Sequence, residues 1–82
     1  MARFFHVYIL QSIADRRDFY VGYTEDLEAR LRFHNEGGCP HTSKRRPLRI
    51  KTATAFSEQG AAIAFEKYLK SPSGRAFAKK RL

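Results

Sequence analysis

Tryptophan is absent from this chain, and cysteine occurs once, at Cys39. A single thiol allows no intrachain disulfide and fits a reducing compartment. Seven phenylalanines and four tyrosines must therefore supply much of the packing area. Long apolar runs are also missing. The longest, Phe4 to Leu10, is interrupted by His6 and falls far short of the roughly 20 residues that span a bilayer. No small-residue cleavage site follows it, so it is not a signal peptide, and a cytoplasmic protein is expected. Acids are scarce in the second half: residues 39–82 hold two Asp/Glu against eleven Lys/Arg, a net of +9. Residues 1–38 hold six acids and five bases, a net of −1. So few carboxylates exclude two-metal chemistry, which needs several converging in one place. No glycine-rich phosphate loop and no Ser/His/Asp pattern is present. His34, Cys39 and His41 match no standard zinc spacing.

What is present points to a polyanion. The net charge of +8 is clustered rather than alternating, which favours nucleic acid over a merely solvated basic surface. Residues 1–82 form one domain, short enough to bury only about 60–65% of its unfolded surface.

Alternation predicts a strand over Phe4 to Gln11, with Phe5, Val7 and Ile9 on one side and His6, Tyr8 and Leu10 on the other. Ser12 to Asp18 suits a hairpin loop, and Phe19 to Thr24 is rich in β-formers. Two strands joined this way pair antiparallel. Thr24 is placed to cap a helix whose first turn carries Glu25, Asp26 and Glu28, and Gly37-Gly38 stops it. Leu27 and Leu31 form its apolar stripe, bordered by Arg30 and His34. Cys39 to Pro47 is a loop, and Leu48 to Phe56 a third strand. Ser57 can cap a helix from Glu58 to Lys70, and Ser71-Pro72 can start another to Lys80. The order predicts an α+β fold, with three strands and helices packed on them.

Certain side chains suit phosphodiester hydrolysis. A phenol (Tyr8 or Tyr20) can move a proton, Arg30 can hold a phosphate, and Glu66 can hold a metal. Each has a plainer role: packing tyrosines, an Arg30–Asp26 ion pair, a Glu66–Lys70 pair, and a His34 favoured by the helix dipole. Glu66 stands out because it borders a buried face in an acid-poor half. One carboxylate plus waters suits Mg²⁺. Lys44, Arg45, Arg46, Lys70, Arg75, Lys79 and Lys80 are candidates to grip flanking phosphates, and Gly22 allows close approach of backbone or ligand.

At these positions the chain resembles the GIY-YIG nuclease superfamily, in particular small stand-alone bacterial members similar to the N-terminal nuclease region of the bacterial excinuclease. The residues that carry the likeness are His6-Val7-Tyr8, Tyr20-Val21-Gly22 with the run on to Leu31, His34-Asn35, Thr42, Arg46-Pro47-Leu48 and Ala64 to Lys70. The resemblance implies a three-stranded antiparallel sheet flanked by helices. It implies an endonuclease that uses one divalent metal, Mg²⁺ or Mn²⁺, and cuts nucleic acid, with DNA and a role in repair or processing expected. It assigns Tyr8 and Tyr20 as signature tyrosines, Gly22 as signature glycine, Arg30 to the phosphate, His34 to assistance and Glu66 to the metal. One of the phenols, with Tyr8 preferred, would take the water's proton. The chain departs from the pattern at Tyr23 and Phe65, where relatives often carry lysine and arginine, and in having no asparagine after Asn35. Most characterised members also carry a separate DNA-binding domain. A protein partner that supplies substrate targeting is therefore expected, and the alternative is a nucleic-acid-binding module without independent cleavage.

Overall fold

Apolar and polar side chains alternate along both early segments, and the two form a hairpin. In the computed structural model, which describes residues 3–82, β1 (Phe5–Ser12) pairs antiparallel with β2 (Phe19–Thr24). The other side of β1 pairs antiparallel with β3 (Leu48–Phe56). The order β2-β1-β3 makes β1 central and β2 an edge strand. Among the described residues three α-helices flank this sheet: α1 (Leu27–Asn35), α2 (Gln59–Leu69) and α3 (Pro72–Arg81). The architecture is the α+β fold expected, a three-stranded antiparallel sheet flanked by helices.

Burial explains the layering. Val7 to Ser12 of β1 are all buried, because both faces of the central strand are covered. On one face Val7 and Ile9 pack with Ala62 and Leu69 of α2, and Ala78 of α3 joins them. On the other, Tyr8, Leu10 and Leu48 pack with Leu27 and Leu31 of α1. The register shifts between Ile9 and Leu10, whose β3 partners are Thr52 and Ile50, so Lys51 is the extra residue of a bulge.

Local chemistry sets the helix ends, not always at the expected residue. Thr24 does not cap α1: it is still in β2, paired with His6. Asp26 caps instead, its Oδ1 accepting from the Ala29 N–H at 3.1 Å. At the other end Gly37 adopts φ 82°, and the helix stops there as expected. Ser57 is likewise not the cap of α2, whose N-cap is Glu58 with no side-chain bond. Ser71 does cap α3, accepting from the Gly74 N–H at 3.1 Å. The loop after α1 contains one 3-10 turn, Ser43–Arg45.

Candidate active site

Strand register brings the two signature tyrosines to one face. Tyr8 lies opposite Gly22, and Leu10 lies opposite Tyr20, so Tyr8 and Tyr20 are diagonal neighbours on the α1 side. A Cβ at position 22 would collide with the Tyr8 phenol. Gly22 is buried beneath that ring. The close approach expected at Gly22 is made by the Tyr8 ring.

His34 does not border the apolar stripe of α1; it continues it. Spaced after Leu27 and Leu31, it points at the sheet and is 1% exposed. The Tyr8 hydroxyl lies 3.0 Å from Nε2 of His34, and Nδ1 lies 2.8 Å from Oγ1 of Thr42. Thr42 is itself fully buried and donates to the Cys39 carbonyl at 3.5 Å. That bond leaves the Thr42 oxygen to accept from Nδ1–H, so Nε2 carries the lone pair and accepts from Tyr8, a tautomer assigned from the network. Burial, and then the Arg30 cation, hold the His34 imidazole below its ordinary value, which favours this neutral form.

Tyr20 is half-buried, its ring edge-on to His34 at 5.2 Å between centroids. Burial raises the Tyr20 phenol, and Cys39 adds to the shift. Tyr8 is raised far more, first by burial and then by Tyr20, with Arg30 opposing. Arg30 sits one turn before His34 and is exposed, its guanidinium 5.4 Å from the Phe33 ring centroid. The ion pair with Asp26 does not form, because that carboxylate caps the helix. Glu66 arrives from α2 and pairs with Lys70 at 3.3 Å. Its charge raises both phenols, and the charge of Arg30 lowers both. Both phenols thus feel the charges of Arg30 and Glu66, and His34 feels that of Arg30, although the five residues come from four separate elements.

A divalent ion fits this arrangement. Glu66 is the carboxylate whose field reaches both phenols, and its side chain is 23% exposed. Among the described residues no three His, Cys, Asp or Glu side chains converge. One carboxylate completed by waters and substrate oxygens is a donor set that a hard, strongly hydrated divalent cation accepts.

The chain also matches known proteins. The GIY-YIG catalytic domain matches residues 4–81. The chain belongs to the GIY-YIG family. It is similar to the UPF0213 protein YazA of Bacillus subtilis, 42% identical over 53 residues, covering 63% of this chain and 54% of YazA. A UPF0213 protein of Bacillus licheniformis is 36% identical over 69 residues, covering 83% of this chain and 70% of that protein. One of Haloquadratum walsbyi is 35% identical over 72 residues, covering 87% and 79%. A GIY-YIG domain has a nuclease-type fold, and such nucleases typically use divalent metals. No helix among the described residues is long and apolar enough to cross a membrane.

In this GIY-YIG domain part of the basic set lines a groove beside Tyr20. The groove, about 940 Å³, runs between the β1–β2 loop, the end of α2 and α3. Arg45, Lys70, Arg75 and Lys79 line it. Lys44 and Lys80 are exposed outside it. Arg46 braces its own loop instead, donating to the carbonyls of Ser43 at 2.7 Å and Asn35 at 3.4 Å. Sequence reasoning missed Arg16, Arg17 and Lys51, which also line the groove. It gave no role to Thr42, which orients His34, or to Asn35. The Asn35 amide bonds both the N–H and the C=O of Leu48, at 2.8 and 3.0 Å, and fastens α1 to the start of β3. Thr42 and Asn35 were present in the family likeness, which was the available signal.

Proposed function

We propose that this chain is a divalent-metal-dependent endonuclease that hydrolyses phosphodiester bonds in DNA. One observation supports it above the rest: a phenol hydrogen-bonded to a neutral histidine lies in the joint field of an exposed guanidinium and a carboxylate. Packing alone asks for no such mixture of charges around a buried tyrosine.

Arg30, with no carboxylate partner among the described residues, binds and orients the scissile phosphate and stabilises its growing negative charge. Tyr8 and His34 move the proton. A free phenolate is costly here, since burial raises the Tyr8 value. The relay avoids it: as Tyr8 Oη accepts a proton from the attacking water, its own proton passes to Nε2 of His34. His34 is the final acceptor, and Thr42 holds its ring in the receptive tautomer. Tyr20, the less buried phenol, hydrogen-bonds phosphate or water at the groove. Glu66 would hold Mg²⁺ or Mn²⁺, which supplies Lewis-acid stabilisation of the leaving oxygen when bound.

Nicking of supercoiled plasmid and of branched DNA with and without Mg²⁺ tests this reading. Wild-type protein is expected to nick only with metal. Glu66→Gln is expected to lose activity by about 100-fold or more while binding is kept. DNA binding without metal-dependent cleavage on any substrate assigns the chain instead as a nucleic-acid-binding module.

A further inference from the structure

The groove beside Tyr20 contains more than cations. Phe19, the first residue of β2, is 46% exposed within it. Its side chain lies on the sheet face opposite Tyr20, because neighbours on a strand alternate. Phe19 and Tyr20 both line the groove, together with Arg16, Arg17 and Asp18 of the loop that precedes them. Lys51, displaced by the β3 bulge, places Nζ 5.5 Å from the centroid of the Phe19 ring.

Charge along this path is one-sided. Arg16, Lys51, Arg75 and Lys79 line it, and none has a carboxylate within 4.0 Å among the described residues. The acid in the lining is Asp18, which is taken up by Arg45 at 3.3 Å. Unpaired cations sharing a groove with an exposed aromatic ring match a polynucleotide strand: phosphates meet the cations and a base meets the ring face. The ring discriminates between substrates. In an uninterrupted duplex the base faces are stacked on one another and only edges and backbone are offered. An aromatic side chain gains a stacking partner only from a base that is out of the helix.

We propose that this groove binds an unpaired polynucleotide strand, with Phe19 as its base-stacking platform, and leads that strand to Tyr20. The inference rests on the nuclease reading of the site and narrows its substrate to nucleic acid with an unpaired segment beside the cut. The ring chemistry is shared by DNA and RNA.

Fluorescence anisotropy in EDTA, where cleavage cannot intervene, tests it with labelled oligothymidylate, oligouridylate and a blunt duplex of equal length. The wild-type protein is expected to prefer a single strand, and comparison of the two oligomers distinguishes DNA from RNA. Phe19→Leu keeps an apolar side chain but removes the ring, and is expected to weaken single-strand binding roughly tenfold while changing duplex binding less than about twofold. Phe19→Trp should retain it. Arg75→Ala with Lys79→Ala should weaken every ligand and flatten the salt dependence. Single-strand affinity unchanged in Phe19→Leu, or lost equally for the duplex, overturns the proposal. The outcome is independent of catalysis: a chain that never cleaves can still pass, and metal-dependent nicking lost in Glu66→Gln can persist if Phe19 fails.

Discussion

The Tyr8 hydroxyl stands 3.0 Å from Nε2 of His34, and the two residues are 3% and 1% exposed. A bond this deeply buried is expensive to leave half-made. Replacing His34 by alanine strands the Tyr8 and Thr42 hydroxyls together. We expect His34→Ala to lower unfolding stability by about 2–4 kcal/mol, from a lost bond and newly unpaired polar groups. Urea denaturation measures it. His34→Gln, which can donate and accept, should recover part of the loss; equal losses in both variants would remove hydrogen bonding as the cause.

Acid should weaken the fold through the same residue. Burial and Arg30 depress the folded-state value of His34 below its ordinary 6.5. The unfolded chain therefore takes up a proton first as pH falls. The contribution of His34 is whole above pH 6.5 and is lost as pH falls through the lower folded-state value. Tyr8 acts at the alkaline end: its value is raised, so its contribution is whole below the ordinary phenol value of 10.0 and is lost above it. Melting temperatures of wild-type and His34→Gln protein between neutral pH and pH 5 check the acid side, where the variant should give the flatter profile.

Room for the Tyr8 ring comes from the missing side chain at Gly22. Gly22→Ala should cost about 1–3 kcal/mol by overpacking. In a Tyr8→Leu background the added methyl has space, so the same substitution should cost less. A double-mutant cycle followed by denaturation is expected to give a coupling of about 0.5–3 kcal/mol. Simple additivity would mean that the two side chains do not compete for one volume.

Arg30 should separate activity from stability. Its exposed guanidinium makes a contact with the Phe33 ring and no ion pair among the described residues. Arg30→Ala should therefore shift stability by no more than about 0.5–1 kcal/mol. Cleavage should fall about 100- to 1000-fold, the usual loss when a group that stabilises transition-state charge is removed. Parallel nicking and melting experiments decide; a melting loss as large as that of His34→Ala would make Arg30 a structural residue.

Several features were legible in the sequence because they are local. β-alternation placed Val7 and Ile9 on one face and Tyr8 and Leu10 on the other. The span of β3, the stop at Gly37 and the cap at Ser71 followed from nearest neighbours. The cap of α1 is not legible because Thr24 suits two uses, and pairing with His6 wins. The burial of His34 is not legible because sequence gives a helix angle but not how far the partner sheet extends. The groove was only half legible: charge density flagged the region after Cys39. Arg16 and Arg17 came from the acid-balanced half, and Lys51 entered through a bulge that no periodicity announces.

Tyr8 occupies the middle strand, covered by α1 on one side and by α2 and α3 on the other. The phenol proposed to move the proton is therefore a structural keystone as well. Heating cannot loosen its surroundings in advance of the remainder, so loss of function and loss of structure should arrive in a single cooperative step.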